Sequence, residues 1–116
     1  EPVQTLPGTP MFIAGRSFFE QSIRDTEGFA KKRLQKLPTV TDLVIQSVEE
    51  VRVDNLPGYE ITAFAKDKRS DLPVALYQMM LFENKHYYIM VGSVGTHDTE
   101  NYFKKFKDTA HTFERD

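Results

Sequence analysis

Thr96-His97-Asp98-Thr99-Glu100 sets one imidazole and two carboxylates within four residues. Two kinds of chemistry suit such a set. A carboxylate that orients the imidazole makes His97 a general base. Nitrogen and oxygen donors together suit a metal site, with His97, Asp98 and Glu100 as the candidate ligands. The same residues also spell the start of a helix: Asp98 or Thr99 caps it, and Glu100 sits in the first turn, where the helix dipole favours negative charge. We adopt the cap, because a cap needs neighbours in sequence and a ligand set does not. His86 stands beside a hairpin turn and His111 on the margin of a helical stripe. Neither has the spaced partner of an HxxxH or HExxH site, so both read as surface or margin residues.

Other catalytic patterns are missing from the sequence. Ser17, Ser47, Ser70 and Ser93 have no base nearby in sequence, and there is no G-x-S-x-G elbow. Gly92-Ser93-Val94-Gly95 lacks the lysine of a phosphate-binding loop. With no cysteine, disulfides, thiolate metal sites and cysteine nucleophiles are excluded. The expectation is therefore a noncatalytic domain with no cofactor; a small enzyme or metal site around His97, Asp98 and Glu100 is the alternative.

A second chemistry-bearing group is basic. Lys31, Lys32, Arg33 and Lys36 are candidate contacts for an anion, and Lys66, Lys68 and Arg69 extend the set. The competing reading is a solvated helix face. Net charge is −2, and both halves of the chain carry a near-even balance, which argues against a nucleic-acid partner.

The elements that would position these residues are legible. A chain of 116 residues, 40% hydrophobic with nine Phe and five Tyr, suits one domain with an aromatic core. Residues 1–10 hold three prolines and read as an extended lead-in; residues 11–116 form the domain. Met11-Phe12-Ile13-Ala14 suggests a first strand ending near Gly15, with Arg16 to Ile23 ambiguous. Asp25 to Leu37 is helical: Ala30, Leu34 and Leu37 make one apolar stripe, and Pro38 stops it.

From Val40 the period falls to two. Ser47-Val48-Glu49-Glu50 breaks the phase, as a bulge or a tight turn. Asn55-Leu56-Pro57-Gly58 reads as a turn. Tyr59, Ile61, Ala63 and Ala65 form one strand face. Val74 to Phe82 is apolar on both sides and belongs in the sheet centre. Glu83-Asn84-Lys85 turns into a last strand, His86 to Val94, whose end Gly92 and Gly95 loosen. A closing helix carries Tyr102, Phe106, Ala110 and Phe113 on one stripe, with Phe103 alongside.

Leu56-Pro57-Gly58-Tyr59-Glu60-Ile61-Thr62-Ala63, then His86-Tyr87-Tyr88-Ile89-Met90-Val91-Gly92-Ser93, then a closing helix ending Thr112-Phe113, resemble the Mog1/PsbP-like superfamily. The resemblance spans about residues 11–113. It implies an α+β fold in which a twisted antiparallel sheet is flanked by helices, an α-β-α sandwich. Cystatin-like and nuclear-transport-factor-like folds are rivals, and the strong closing helix counts against both. The superfamily's roles are mostly noncatalytic: extrinsic photosystem subunits, a small-GTPase binder, and bacterial extracytoplasmic proteins of unknown role. The expectation is thus a binding or accessory domain that meets a protein or a small ligand. The Pro-rich opening adds an extracytoplasmic setting: periplasmic, secreted or lipid-anchored. No apolar run reaches the length of a membrane-spanning helix.

Overall fold

In a computed structural model, residues 10–17, 20 and 22–115 are described. The chain runs β1 (Met11–Arg16), α1 (Thr26–Gln35), β2 (Val40–Val53), β3 (Leu56–Asp67), β4 (Pro73–Glu83), β5 (His86–Gly95), a 3₁₀ turn (Thr96–Asp98) and α2 (Thr99–His111). All neighbouring strands are antiparallel, in the order β1-β5-β4-β3-β2. This is an α+β fold. The lead-in reading for residues 1–10 lies outside the described residues except for Pro10.

β4 occupies the centre of the sheet because it is the strand with two apolar faces: every residue from Val74 to Phe82 is buried. Its alternation feeds two cores. Val74, Leu76, Met80 and Phe82 pack with Ile61, Ala63 and Ala65 of β3 beneath Ala30 and Leu34 of α1. Ala75, Tyr77, Met79 and Leu81 pack with Met90 and Val94 of β5 beneath Phe106 and Ala110 of α2. The helices therefore sit on opposite faces. They are also offset: α1 packs on β3 and β4, whereas α2 packs on β4 and β5. Gln78, fully buried, donates from Nε2 to the Ala30 carbonyl at 2.9 Å and ties α1 to the central strand.

α1 begins where the sequence places it. The Asp25 carboxylate accepts from the Gly28 amide at 2.9 Å, satisfying one of the free first-turn donors. The stripe of α2 is also as expected: Phe106 and Ala110 are buried, and Tyr102, Phe103 and Phe113 pack around them. Phe12 of β1 stacks on Phe106 at 5.5 Å.

β1 ends near Gly15, as expected, with Gly15 paired to Ile89 and Arg16, its last residue, to Tyr88; three other expectations are corrected. Of the ambiguous stretch that follows, Phe18, Phe19 and Gln21 lie outside the described residues. The phase break in β2 is a bulge within one strand, but it falls at Gln46 rather than at Ser47 to Glu50, and a second bulge lies at Asp42. Asp42 has φ 55°, a left-handed conformation that Asp tolerates better than most residues. The β2–β3 turn is Asp54-Asn55, with φ 51° and 62°. Two central residues with positive φ make a type I′ turn, whose twist matches the flanking strands. Leu56-Pro57-Gly58 is strand, and Pro57 fits because β3 meets β4 only from Gly58 onward. Finally, Gly92 does not loosen β5. A Cβ there would sit 2.6 Å from the Phe106 ring, so the glycine lets α2 lie close on the strand.

Candidate functional site

The offset of the helices leaves half of each sheet face open. On the α2 side the open half is formed by β3 and β2. Alternation on β3 sends Glu60, Thr62 and Phe64 to this side, while Ile61, Ala63 and Ala65 enter the α1 core. Pairing then sets Glu49 against Glu60, Ser47 against Thr62, and Val44 against Phe64 on the same face. The result is a graded strip: carboxylates, then hydroxyls, then an apolar pair. Ser47 and Thr62 hydroxyls share a 2.5 Å hydrogen bond. Phe64 and Val44 are 40% and 58% exposed.

Between this strip and α2 lies a groove of about 300 Å³. Its sheet wall is Ser47, Glu49, Glu60 and Thr62. Tyr77 closes the floor, and Phe103, Lys104 and Lys107 form the helix wall. A carboxylate as buried as Glu60 needs partners for its charge, and it has three. The Tyr77 hydroxyl donates to Oε2. His111 Nε2 meets the same oxygen at 3.0 Å, and Lys107 Nζ lies 3.5 Å from Oε1. Against a carboxylate acceptor, His111 Nε2 must carry the proton. Lys107 and His111 are four residues apart and so share one face of α2. Burial, then the hydrogen bond to Glu60, raises the Tyr77 phenol far above its ordinary pKa, which keeps it a donor.

The polar groups around Glu60 are already engaged with one another. Both oxygens of Glu60 face donors, and the phenol is locked as an acid that gives up no proton near neutrality. The open capacity of the groove lies in Glu49, Lys104 and the ring of Phe103, beside the apolar pair.

Sequence-derived candidates fall elsewhere. His97 is 74% exposed and lies 3.6 Å from Asp98. Asp98 stands at the N-cap of α2 but makes no side-chain capping bond. It accepts instead from the Asn101 side chain at 3.3 Å, while the 3₁₀ turn leads the chain into the helix and Thr99 Oγ1 bonds the Thr96 carbonyl. Glu100 is exposed. Among the described residues, no group of three His, Asp or Glu side chains is placed to hold a metal ion. Lys31 pairs with Glu27 at 3.0 Å; Lys32, Arg33 and Lys36 are exposed. His111 is exposed, as expected of a margin residue, but its ring also reaches back to Glu60 of the sheet.

His86 acquires a serine that sequence distance concealed. Its Nδ1 lies 3.4 Å from Ser17 Oγ and its Nε2 3.7 Å from Glu20. The order Ser-His-Glu resembles a nucleophilic relay, but Ser17 is 9% exposed and its hydroxyl already accepts from the Tyr87 amide at 3.1 Å. The Ser17 amide in turn donates to the Tyr87 carbonyl at 2.9 Å. Ser17 thereby extends the β1–β5 ladder by one residue, and it does not line the groove.

Glu60 and Tyr77 were not singled out in the sequence. The signal was present in two places: an acid on the second face of an otherwise buried strand, and the Lys107/His111 spacing beside the aromatic stripe.

No protein-family model matches the chain, and no curated protein matches it either. Among solved structures, it is similar to PA94 from Pseudomonas aeruginosa, a protein of unknown function described as a candidate regulator. The TM-score is 0.74 at 10% identity, over 97% of this chain and 77% of the other. At that identity the likeness concerns the fold alone.

Proposed function

We propose that this chain is a noncatalytic binding or accessory domain whose ligand site is the groove beside α2. The observation that carries the reading is the exposed Phe64–Val44 pair, continuous along the strand with a polar-walled groove of about 300 Å³. Small-ligand sites combine an apolar surface with a few convergent polar groups, and this strip supplies both. The ligand is amphipathic, a small molecule or a short stretch of a protein partner. Its apolar body covers Phe64, Val44 and Phe103, and its polar end reaches Glu49 and Lys104.

Membership of the Mog1/PsbP-like superfamily is part of the same proposal. It is supported by the order of elements and by the helices on opposite sheet faces. An extracytoplasmic setting belongs to it too, and fractionation of the native protein tests it.

The binding reading is tested by titrating ¹⁵N-labelled protein with amphipathic fragments: medium-chain carboxylates, hydrophobic amines and hydrophobic dipeptides. Shifts clustered at Ser47, Thr62, Phe64 and Phe103 are expected. Shifts confined to the opposite groove, near Thr26, Arg52 and Tyr59, or turnover of a substrate without such binding, would overturn it.

A further inference from the structure

The basic residues singled out in the sequence take no part in the α2 groove. The fold brings their two groups together. The Lys68 amide donates to the Thr39 carbonyl at 2.9 Å, which holds the β3–β4 loop against the connection leaving α1. Lys32, Arg33 and Lys36 at the end of α1 thereby share one corner of the molecule with Lys68 and Arg69 of the loop, and Lys66 stands at the adjoining end of β3, on the other sheet face. All six are exposed, and among the described residues none forms an ion pair.

Charge is strongly polarised about this corner. Residues 31–42 and 66–71 carry seven basic and three acidic side chains, whereas the rest of the chain carries eight and fourteen. One of the three acids is already engaged: Asp67 accepts from the Ser70 amide and hydroxyl at 2.9 and 2.8 Å. Asp98 and Glu100 lie toward the same end of the sheet but belong to the 3₁₀ turn and to α2, on the opposite face. Basic residues in a last helical turn also complement the helix dipole, which accounts for Lys32 and Arg33. It does not account for Lys68 and Arg69 in the loop or for Lys66 at the end of β3.

The loop adds an apolar residue. Leu72 is 49% exposed, although its backbone is fixed: its amide donates to Ser70 Oγ at 3.3 Å and its carbonyl accepts from the Asp67 amide at 2.8 Å. A rigid turn that holds a leucine outward beside clustered lysine and arginine matches what an anionic bilayer recognises. The charges meet phosphate headgroups, and the side chain enters the acyl boundary.

We propose that this corner is a peripheral docking surface for anionic lipid bilayers. The protein is acidic overall, with pI about 5.9, so the attraction is local and sensitive to salt. The test is co-sedimentation of the full chain with vesicles of one part phosphatidylglycerol to three parts phosphatidylcholine, against phosphatidylcholine alone. Binding only to the anionic vesicles, lost when salt rises from about 0.05 to about 0.5 M, is expected. The variant Lys36→Glu/Lys68→Glu/Arg69→Glu should lower partitioning by about a hundredfold or more. Leu72→Ala should lower it several-fold, and Lys85→Glu, in the turn at the other sheet end, should leave it unchanged. These positions are exposed, and circular dichroism confirms folding of each variant. Four results would overturn the proposal: no binding by the parent chain, equal binding to neutral vesicles, a triple variant or Leu72→Ala that binds as the parent does, and an equal loss in Lys85→Glu. Tight binding to a soluble polyphosphate with none to vesicles would also overturn it.

Discussion

Glu60 on β3 and His111 in the last turn of α2 are 51 positions apart and meet at 3.0 Å. With Tyr77 and Lys107 they anchor the C-terminal half of α2 to the sheet, and α2 forms one wall of the groove. Replacing Glu60 by Ala strands the buried Tyr77 hydroxyl without an acceptor. The half-exposed Lys107 and His111 add little, since solvent screens them. The expected loss is about 2–3 kcal/mol, typical of a hydrogen bond to a charged group left unmade. Urea unfolding measures it, and a loss below about 1 kcal/mol would remove the anchor role.

Arg115 joins two hairpin ends behind α2. Its side chain pairs with Asp54 at 2.8 Å and with Glu83. Hydrogen bonds from Arg115 hold both carboxyls below their ordinary values of 3.8 and 4.5. The folded state thus favours the ionised forms. The stabilisation is complete above those ordinary values and disappears as pH falls through the lowered ones. Arg115→Gln should therefore lower stability at neutral pH and flatten the acid side of a stability–pH curve. Parallel acid limbs for the two proteins would show that the clamp contributes nothing.

Gly92 sets the distance between β5 and α2. Gly92→Ala places a methyl group in the space of the Phe106 ring, and overpacking of this kind costs about 1–3 kcal/mol. Thermal unfolding should show the loss, together with a changed near-ultraviolet signal from the displaced rings. A neutral substitution would mean that α2 floats on the sheet.

The Asp54-Asn55 turn tests register. Asn55→Val forces a branched residue into φ 62° and should cost about 1–2 kcal/mol, the penalty of the left-handed region. Asn55→Gly should cost nothing. If both behave alike under chemical denaturation, the hairpin turns elsewhere.

How far the sequence reaches follows from the range of each signal. β4 and both helical stripes were legible because Val74 to Phe82, Ala30/Leu34 and Phe106/Ala110 repeat with the period of their own element. The Asp54-Asn55 turn was obscured by Pro57 and Gly58, stronger turn formers that here lie in a strand. The bulge was visible as a lost phase in β2 but not its position, since register depends on the partner strand. The groove was the least legible. Glu60, Tyr77 and His111 come from three elements, and nothing local in any of them marks the others. The helix offset, which uncovers Phe64 and Val44, is decided by packing between residues distant in sequence.

The central claim is that the groove beside α2 binds a ligand, and one comparison tests it most directly. The dissociation constant of the tightest fragment is measured for the parent chain, for Phe64→Asp and for Ile13→Asp. Both substitutions fall on exposed residues, at 40% and 63% exposure, and Ile13 lies on β1, away from the groove. The account expects about tenfold or greater weakening for Phe64→Asp, from losing roughly 1.4 kcal/mol of apolar contact, and no change for Ile13→Asp. Equal affinity for the parent chain and Phe64→Asp would contradict it.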